Sequence, residues 1–166
     1  MGTDIHMVLE REHNGKWVGV HNFDSRHMEY NEATRQAVVA YNATLGSDVE
    51  YGLRAQLPMY CDWGVRHRNY ALFGSLANVR RDGDGAPDPK GVPDDVSDLA
   101  RMEIDGWGID GHSHTWWTLR EALPVFAAHI CPEDLLGEER KRLSSRLFEV
   151  DEEDVDQYRL IIWFDN

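Results

Sequence analysis

Residues 4–20 read DIHMVLEREHNGKWVGV, and this stretch decides how the chain begins to fold. Ile5, Met7 and Leu9 alternate with more polar positions, which is the period-two pattern of a half-buried β-strand. Asn14-Gly15 follows, and both of its positions tolerate the positive φ angles of a tight hairpin turn. The residues after the turn return as a second strand. The sequence therefore predicts an N-terminal antiparallel hairpin.

The rest of the chain adds helices and a strand at its end. Residues 158–164 are apolar on both faces of a strand, which predicts a central position in the sheet, and residues 107–117 have an extended pattern. Helices are predicted over 30–45, over 70–79 with Asn69 as cap, and from Asp94 or Asp95 through Met102. A further helix is predicted after the Thr118–Glu121 capping box, with an interruption at Pro124, and another over 132–147. The prediction is a single α+β domain, 1–166, with about four mostly antiparallel strands and several helices on one face.

Composition limits the partners of this domain. The net charge of −13 over 166 residues disfavours binding of nucleic-acid polymers, because a phosphate backbone would be repelled. No apolar run is long enough to cross a membrane and no leader is evident, so a cytosolic protein is expected. Cys61 and Cys131 are too few for a thiolate zinc site and are expected to be free thiols. A homo-oligomer and a protein partner both stay open.

Two Asp-x-His patterns indicate where chemistry takes place. Asp4 and His6 are two residues apart on a predicted strand, so their side chains share a face. Asp110, His112 and His114 share a face by the same rule if their segment is extended. We therefore expect one catalytic site on adjacent strands, made of these five residues. Asp4, His6, His112 and His114 are also candidate ligands of a divalent zinc or manganese ion. Without a metal, the same residues suit acid–base catalysis.

An anion-binding region is predicted beside this site. Arg68 and Arg80 flank a short predicted helix that begins at Asn69-Tyr70, and free amides at a helix start attract anions. Guanidinium groups bind phosphate or carboxylate through parallel hydrogen bonds. Trp116 has the same parity as the histidines and is expected to stack on a base or sugar. Core packing of the tryptophan and surface ion pairing of the arginines are the alternatives.

Several blocks resemble a family of largely uncharacterised proteins of tailed bacteriophages and prophages. Members often have Cys or Ala where this chain has Thr3, so no chemistry is expected at that position. The resemblance implies a small accessory protein in the cytoplasm of an infected bacterium, active in host takeover or against immunity that uses small nucleotide signals. Asp94 becomes a further candidate ligand contact. The blocks are 1–6 (MGTDIH), 68–73 (RNYALF), 76–80 (LANVR), 91–97 (GVPDDVS) and 111–116 (GHSHTW).

Three functions follow from these patterns. The first is a phosphoesterase-type hydrolase of a small nucleotide signal, in which the His/Asp cluster does the chemistry and arginine binds phosphate. The second is a nucleotide-binding protein that sequesters the signal without turnover. The third is an inhibitor of a host protein that docks through the acidic surface. The hydrolase is favoured, because binding an anion does not require two Asp-x-His elements.

Overall fold

The computed structural model describes residues 2–22, 69–80, 87–130, 148 and 150–166. Two short 3-10 helices, Gly108–Asp110 and Glu152–Gln157, precede the third and fourth strands. The helices predicted over 30–45 and 132–147 lie outside the described residues. The described elements are β1 (Ile5–His13), β2 (Lys16–Asn22), α1 (Tyr70–Ala77), α2 (Asp98–Trp107), β3 (His112–Thr118), α3 (Leu119–Ile130) and β4 (Tyr158–Phe164).

The four strands form one antiparallel sheet in the order β2-β1-β4-β3. The predicted α+β class, the hairpin and the central C-terminal strand are confirmed. Asn14 and Gly15 form the turn with φ of 52° and 77°, as an Asn-Gly hairpin requires. Because β4 pairs with both β1 and β3, it lies in the interior of the sheet.

Both faces of the sheet are covered by helices, so the prediction of helices on one face is wrong. Ile5, Met7 and Leu9 pack with α1 and α3, whereas Val8 packs with α2. As a result, His6 on the α2 face is completely buried, and β1 is not the half-buried strand that its alternation predicted. His6 and Glu10, two polar residues of β1 on this face, are not exposed to solvent.

Helix α1 begins where it was predicted. The Asn69 side chain accepts a hydrogen bond from the Leu72 amide at 3.1 Å and caps the helix. The helix ends at Ala77, and Asn78 closes it in a left-handed conformation. Trp117 on β3 donates to the Leu76 carbonyl, which fixes the end of α1 to the sheet.

Helix α2 begins later than predicted, at Asp98. Ser97 caps it by accepting from the Ala100 amide, and Asp95 instead binds an arginine of the sheet. Helix α3 begins with the predicted capping box between Thr118 and Glu121. It continues through Pro124 to Ile130, so the predicted interruption is wrong. Pro124 is the sixth residue of the helix and cannot donate a backbone hydrogen bond, yet the helix continues past it.

Candidate functional site

A β-bulge shapes the end of the sheet where β3 begins. His112 pairs with Phe164, whereas Thr115 pairs with Ile162, so one residue is gained on β3 between these pairs. Ser113 has a φ of 51°, the left-handed conformation that such bulges use. The shift places His112 beside Phe164, at a ring distance of 6.4 Å. The rule that residues two apart share a strand face therefore does not apply to His112 and His114.

His112 contacts the residue next to it. Its Nδ1 lies 2.9 Å from the hydroxyl oxygen of Ser113. Its Nε2 is buried and has no hydrogen-bond partner within the part of the chain that the structure describes. Buried polar atoms normally have partners, because an unpaired one costs about 1–3 kcal/mol. A ligand that supplies a partner would recover this free energy.

His114 lies on the α2 side of the bulge under the backbone of Gly111. A β-carbon on Gly111 would lie 3.6 Å from His114 Nε2 and 3.2 Å from the Cβ of Trp107, so the glycine permits a close approach of the chain. His114 Nε2 is also buried and lacks a hydrogen-bond partner in the described ranges. Burial, and then the neighbouring ring of His112, lower the pKa of His114 below its ordinary value. The neutral imidazole is therefore favoured near pH 7.

His6 is enclosed by aromatic rings on the same face. Its ring lies 4.2 Å from Trp107 and 5.6 Å from Trp163, and its Nε2 lies 3.6 Å from a carboxylate oxygen of Asp165. The other oxygen of Asp165 accepts from the backbone amide of Asp4 at 3.0 Å. Asp4 therefore positions Asp165 through its backbone. His6 is too deeply buried to touch a substrate and acts as a packed support.

The predicted metal centre does not fit this arrangement. His6 is on β1 and His114 on β3, and β4 lies between these strands, so they are not adjacent as expected. The bulge also directs His112 toward Phe164. Among the described residues, no three His, Cys, Asp or Glu side chains converge as a metal site needs.

Arg80 reaches the same end of the sheet from the end of α1. Its Nε donates to the hydroxyl of Thr3 at 2.8 Å, and Nη2 lies 3.5 Å from the side-chain oxygen of Asn166. Thr3 is buried and thus has a positioning role, although no chemistry was expected there. Arg80 has a φ of 57° and is exposed, so a guanidinium is presented at the edge of the site.

Asp94 and Trp116 belong to a different polar centre, at the other end of β4. This centre is built on Arg159, which donates to Glu10 at 2.6 Å and to Asp95 at 2.8 Å. Asp94 is exposed beside Asp95. The Trp116 ring packs in the α2 core and lies 6.0 Å from the Arg159 guanidinium. Four residues of an extended strand, about 13 Å, separate this centre from the bulge end.

Three further predicted residues are not gathered at the bulge. Asn69 caps α1, and Tyr70 stacks edge-on with Phe73 at 5.7 Å. Asp110 is exposed in the 3-10 turn before β3. Arg68 lies outside the described residues. The bulge site therefore includes His112, His114 and Arg80, with His6 and Asp4 behind them.

Three residues of this end were not predicted. No nucleophile motif surrounds Ser113 in the sequence, Trp163 has the pattern of strand core, and Asp165 follows the strand. The Trp163 Nε1 is a buried donor without a partner in the residues described here. Only the pairing of His6 with Trp163 and of His112 with Phe164 brings the C-terminal residues to the histidines.

Comparisons of the chain with protein-family models, curated proteins and solved structures find no match. The resemblance to phage proteins therefore stays a prediction. None of the described helices is long and apolar enough to cross a membrane.

We expect His114 to titrate below pH 6.5 and to make stability depend on pH. Because its pKa is lowered on folding, the unfolded chain binds more protons just below pH 6.5. The contribution of His114 to stability is therefore complete above pH 6.5 and is lost as the pH falls toward the folded pKa. NMR titration of the imidazole signals measures this pKa. Replacing His112 with alanine should raise it, since the second ring no longer opposes protonation, and an unchanged value in that variant would contradict the assignment.

Proposed function

We propose that this chain is a hydrolase that cleaves a phosphoester bond in a small nucleotide-type substrate, with His112 and His114 as its acid–base groups. The supporting observation is that both imidazoles bury an Nε2 atom without a partner among the described residues. Such atoms gain free energy when a ligand supplies hydrogen bonds. Two such atoms, on the residues that flank Ser113, favour a polar, oxygen-rich ligand.

The protonation state of His114 suits acid–base catalysis. A neutral His114 can accept a proton from water near pH 7, since its pKa is lowered by burial and by His112. In the catalytic step, His112 gives a proton to the leaving oxygen. Trp163 is fully buried, as His6 is, and therefore supports the site without touching a substrate. Arg80 adds a positive charge at the edge of the same region.

The substrate class follows from charge and from the resemblance. A chain with a net charge of −13 repels an extended polyanion, so a small phosphate ester is favoured over a nucleic acid. The phage-like sequence blocks favour a nucleotide signal of bacterial immunity, and hence a counter-defence role in the infected cell. Trp107, which packs on His6 at 4.2 Å, adds aromatic surface near the site.

The test is hydrolysis of a panel of cyclic mononucleotides, cyclic dinucleotides and ADP-ribose derivatives, followed by chromatography. We expect His114→Ala to lower kcat/KM for the cleaved compound by about 10²- to 10⁴-fold, the usual contribution of a general acid or base. His13→Ala is the matched control, because that histidine ends β1 beside the hairpin turn and bonds Asn14. Equal activity in the two variants would contradict the proposal.

Sequestration without turnover is the second candidate, favoured by the aromatic rings that pack around His6. The same panel separates the two functions when the protein is denatured by heat after incubation. Release of an intact ligand identifies sequestration, whereas new products identify hydrolysis. Binding by a sequestering protein should depend on Arg80 more than on the protonation of His114.

A further inference from the structure

We propose that Ser113 is the nucleophile of the hydrolase proposed above, so that the reaction passes through a covalent phosphoserine with His112 as base. This inference rests on the proposed function, and it adds a residue and a reaction path. It is supported by the backbone of Ser113, by the contact of its hydroxyl with His112, and by the unpaired nitrogen on the far side of that ring.

The backbone at Ser113 is strained. Its φ of 51° lies in the left-handed region, where a side chain other than Asn or Asp is uncommon. Glycine would satisfy the bulge without this strain. Strained residues concentrate at functional sites, where the surrounding structure maintains them. A serine at this position therefore indicates that its hydroxyl is used.

The hydroxyl contacts a base. Ser113 Oγ lies 2.9 Å from His112 Nδ1, within the range of a nucleophile and its general base. When Nδ1 accepts the serine proton, Nε2 must carry the other ring proton. That N–H is buried and unpaired in the described structure. An acceptor elsewhere on the substrate, away from the attacked phosphorus, would accept from it and would also stabilise the imidazolium.

A second serine and histidine provide a matched comparison. Ser75 Oγ lies 2.9 Å from His129 Nε2, the same distance as at Ser113. However, Ser75 is on helix α1 and its hydroxyl donates to the Ala71 carbonyl at 3.0 Å. His129 must then donate to Ser75 and does not act as its base. Ser75 is therefore not activated, although its contact distance matches.

The proposed step conserves atoms and protons. Ser113 Oγ attacks phosphorus, its proton moves to His112 Nδ1, and the bond from phosphorus to the leaving oxygen breaks. The leaving oxygen takes the proton from His112. Water then attacks the phosphoserine and gives a proton to His114, the bond between phosphorus and Oγ breaks, Ser113 Oγ takes a proton, and His114 releases the proton that it accepted. No oxidant, reductant or further reactant is needed.

The experiment uses a fluorophosphonate probe, which needs no knowledge of the substrate. An activated serine displaces fluoride and forms a stable bond to phosphorus, and peptide mass spectrometry locates the adduct. We expect the adduct on Ser113 and none on Ser75. His112→Ala should slow labelling at least tenfold, whereas His129→Ala should leave labelling of Ser113 unchanged. Labelling of Ser113 no faster than of Ser75 would overturn the inference.

The Ser113→Gly variant separates failure of the inference from failure of the proposed function. It relieves the strained backbone, so its thermal midpoint should not fall, and loss of activity cannot be assigned to unfolding. We expect this variant to lose labelling and at least 100-fold in hydrolysis of any panel compound that the wild type cleaves. Full hydrolysis in Ser113→Gly would show direct attack by water and overturn the nucleophile while leaving the hydrolase. Labelled Ser113 without hydrolysis of the panel would support the nucleophile and contradict the nucleotide-type substrate.

Discussion

Replacing Arg159 with methionine is expected to lower the free energy of unfolding by about 3–5 kcal/mol, the usual cost of breaking a buried ion pair on one side. Arg159 is 4% exposed and Glu10 is 0% exposed, and the two are direct cross-strand partners. Without the arginine, the carboxylate of Glu10 remains buried with only the Ser97 amide as a described partner. The guanidinium also holds the pKa of Asp95 below its ordinary value by hydrogen bonding to it.

Urea denaturation of single and double variants measures this effect. The double variant Glu10→Leu, Arg159→Met should lose less stability than Arg159→Met alone, because no unpaired charge remains. Arg120→Met is the matched control: Arg120 pairs with Asp156, and both side chains are exposed at 62% and 67%. Solvent screening makes such pairs weak, so this variant should unfold almost as the wild type does. A similar loss at both arginines would contradict the importance of burial.

Gly19→Ala is expected to destabilise the protein by about 3 kcal/mol, at the upper end of overpacking costs. A β-carbon at Gly19 would lie 2.6 Å from the Cβ of Leu99, which is itself 0% exposed. Because the contact involves the Cβ and not the end of a flexible side chain, α2 must move away from the sheet. Thermal and urea denaturation measure the loss.

Gly106→Ala is the matched control for this change. Gly106 is on the same helix, and a β-carbon there meets nothing within 4 Å. Alanine favours a helix more than glycine by up to about 1 kcal/mol, so this variant should be slightly more stable. Destabilisation of both variants by the same amount would show that α2 tolerates no substitution and that the close approach at Gly19 is not the cause.

These two contacts also concern the candidate site. Arg159 binds Asp95 just before α2, and Gly19 leaves room for Leu99 near the start of the helix. The last residue of the helix, Trp107, packs on His6. It also lies close to Gly111, as His114 does. The contacts at the start of α2 thus help to position Trp107 at its end. The GVPDDVS block is one of the blocks that resemble the phage family. It includes the residues that hold the start of this helix in place.

Local sequence determined several elements by itself. Asn14-Gly15 permits the hairpin turn, Asn69 caps α1, and Thr118 with Glu121 starts α3. Each depends on residues at most a few positions apart, so the physical cause is present in the sequence. The apolar character of 158–164 on both faces likewise required that β4 be central, since an edge or exposed strand would leave those side chains in water.

The tertiary structure decided what surrounds the histidines. Sequence spacing gave His112 and His114 a common face, but the bulge at Ser113 shifts the register, and whether a strand gains a residue depends on its partner. Likewise, β4 separates β1 from β3, although nothing near His6 in sequence specifies its neighbour. The burial of Glu10 with Arg159 joins residues 149 positions apart. Such pairings follow from the packing of the whole chain, because the desolvation cost of burying a charged group is offset only by partners that distant segments supply.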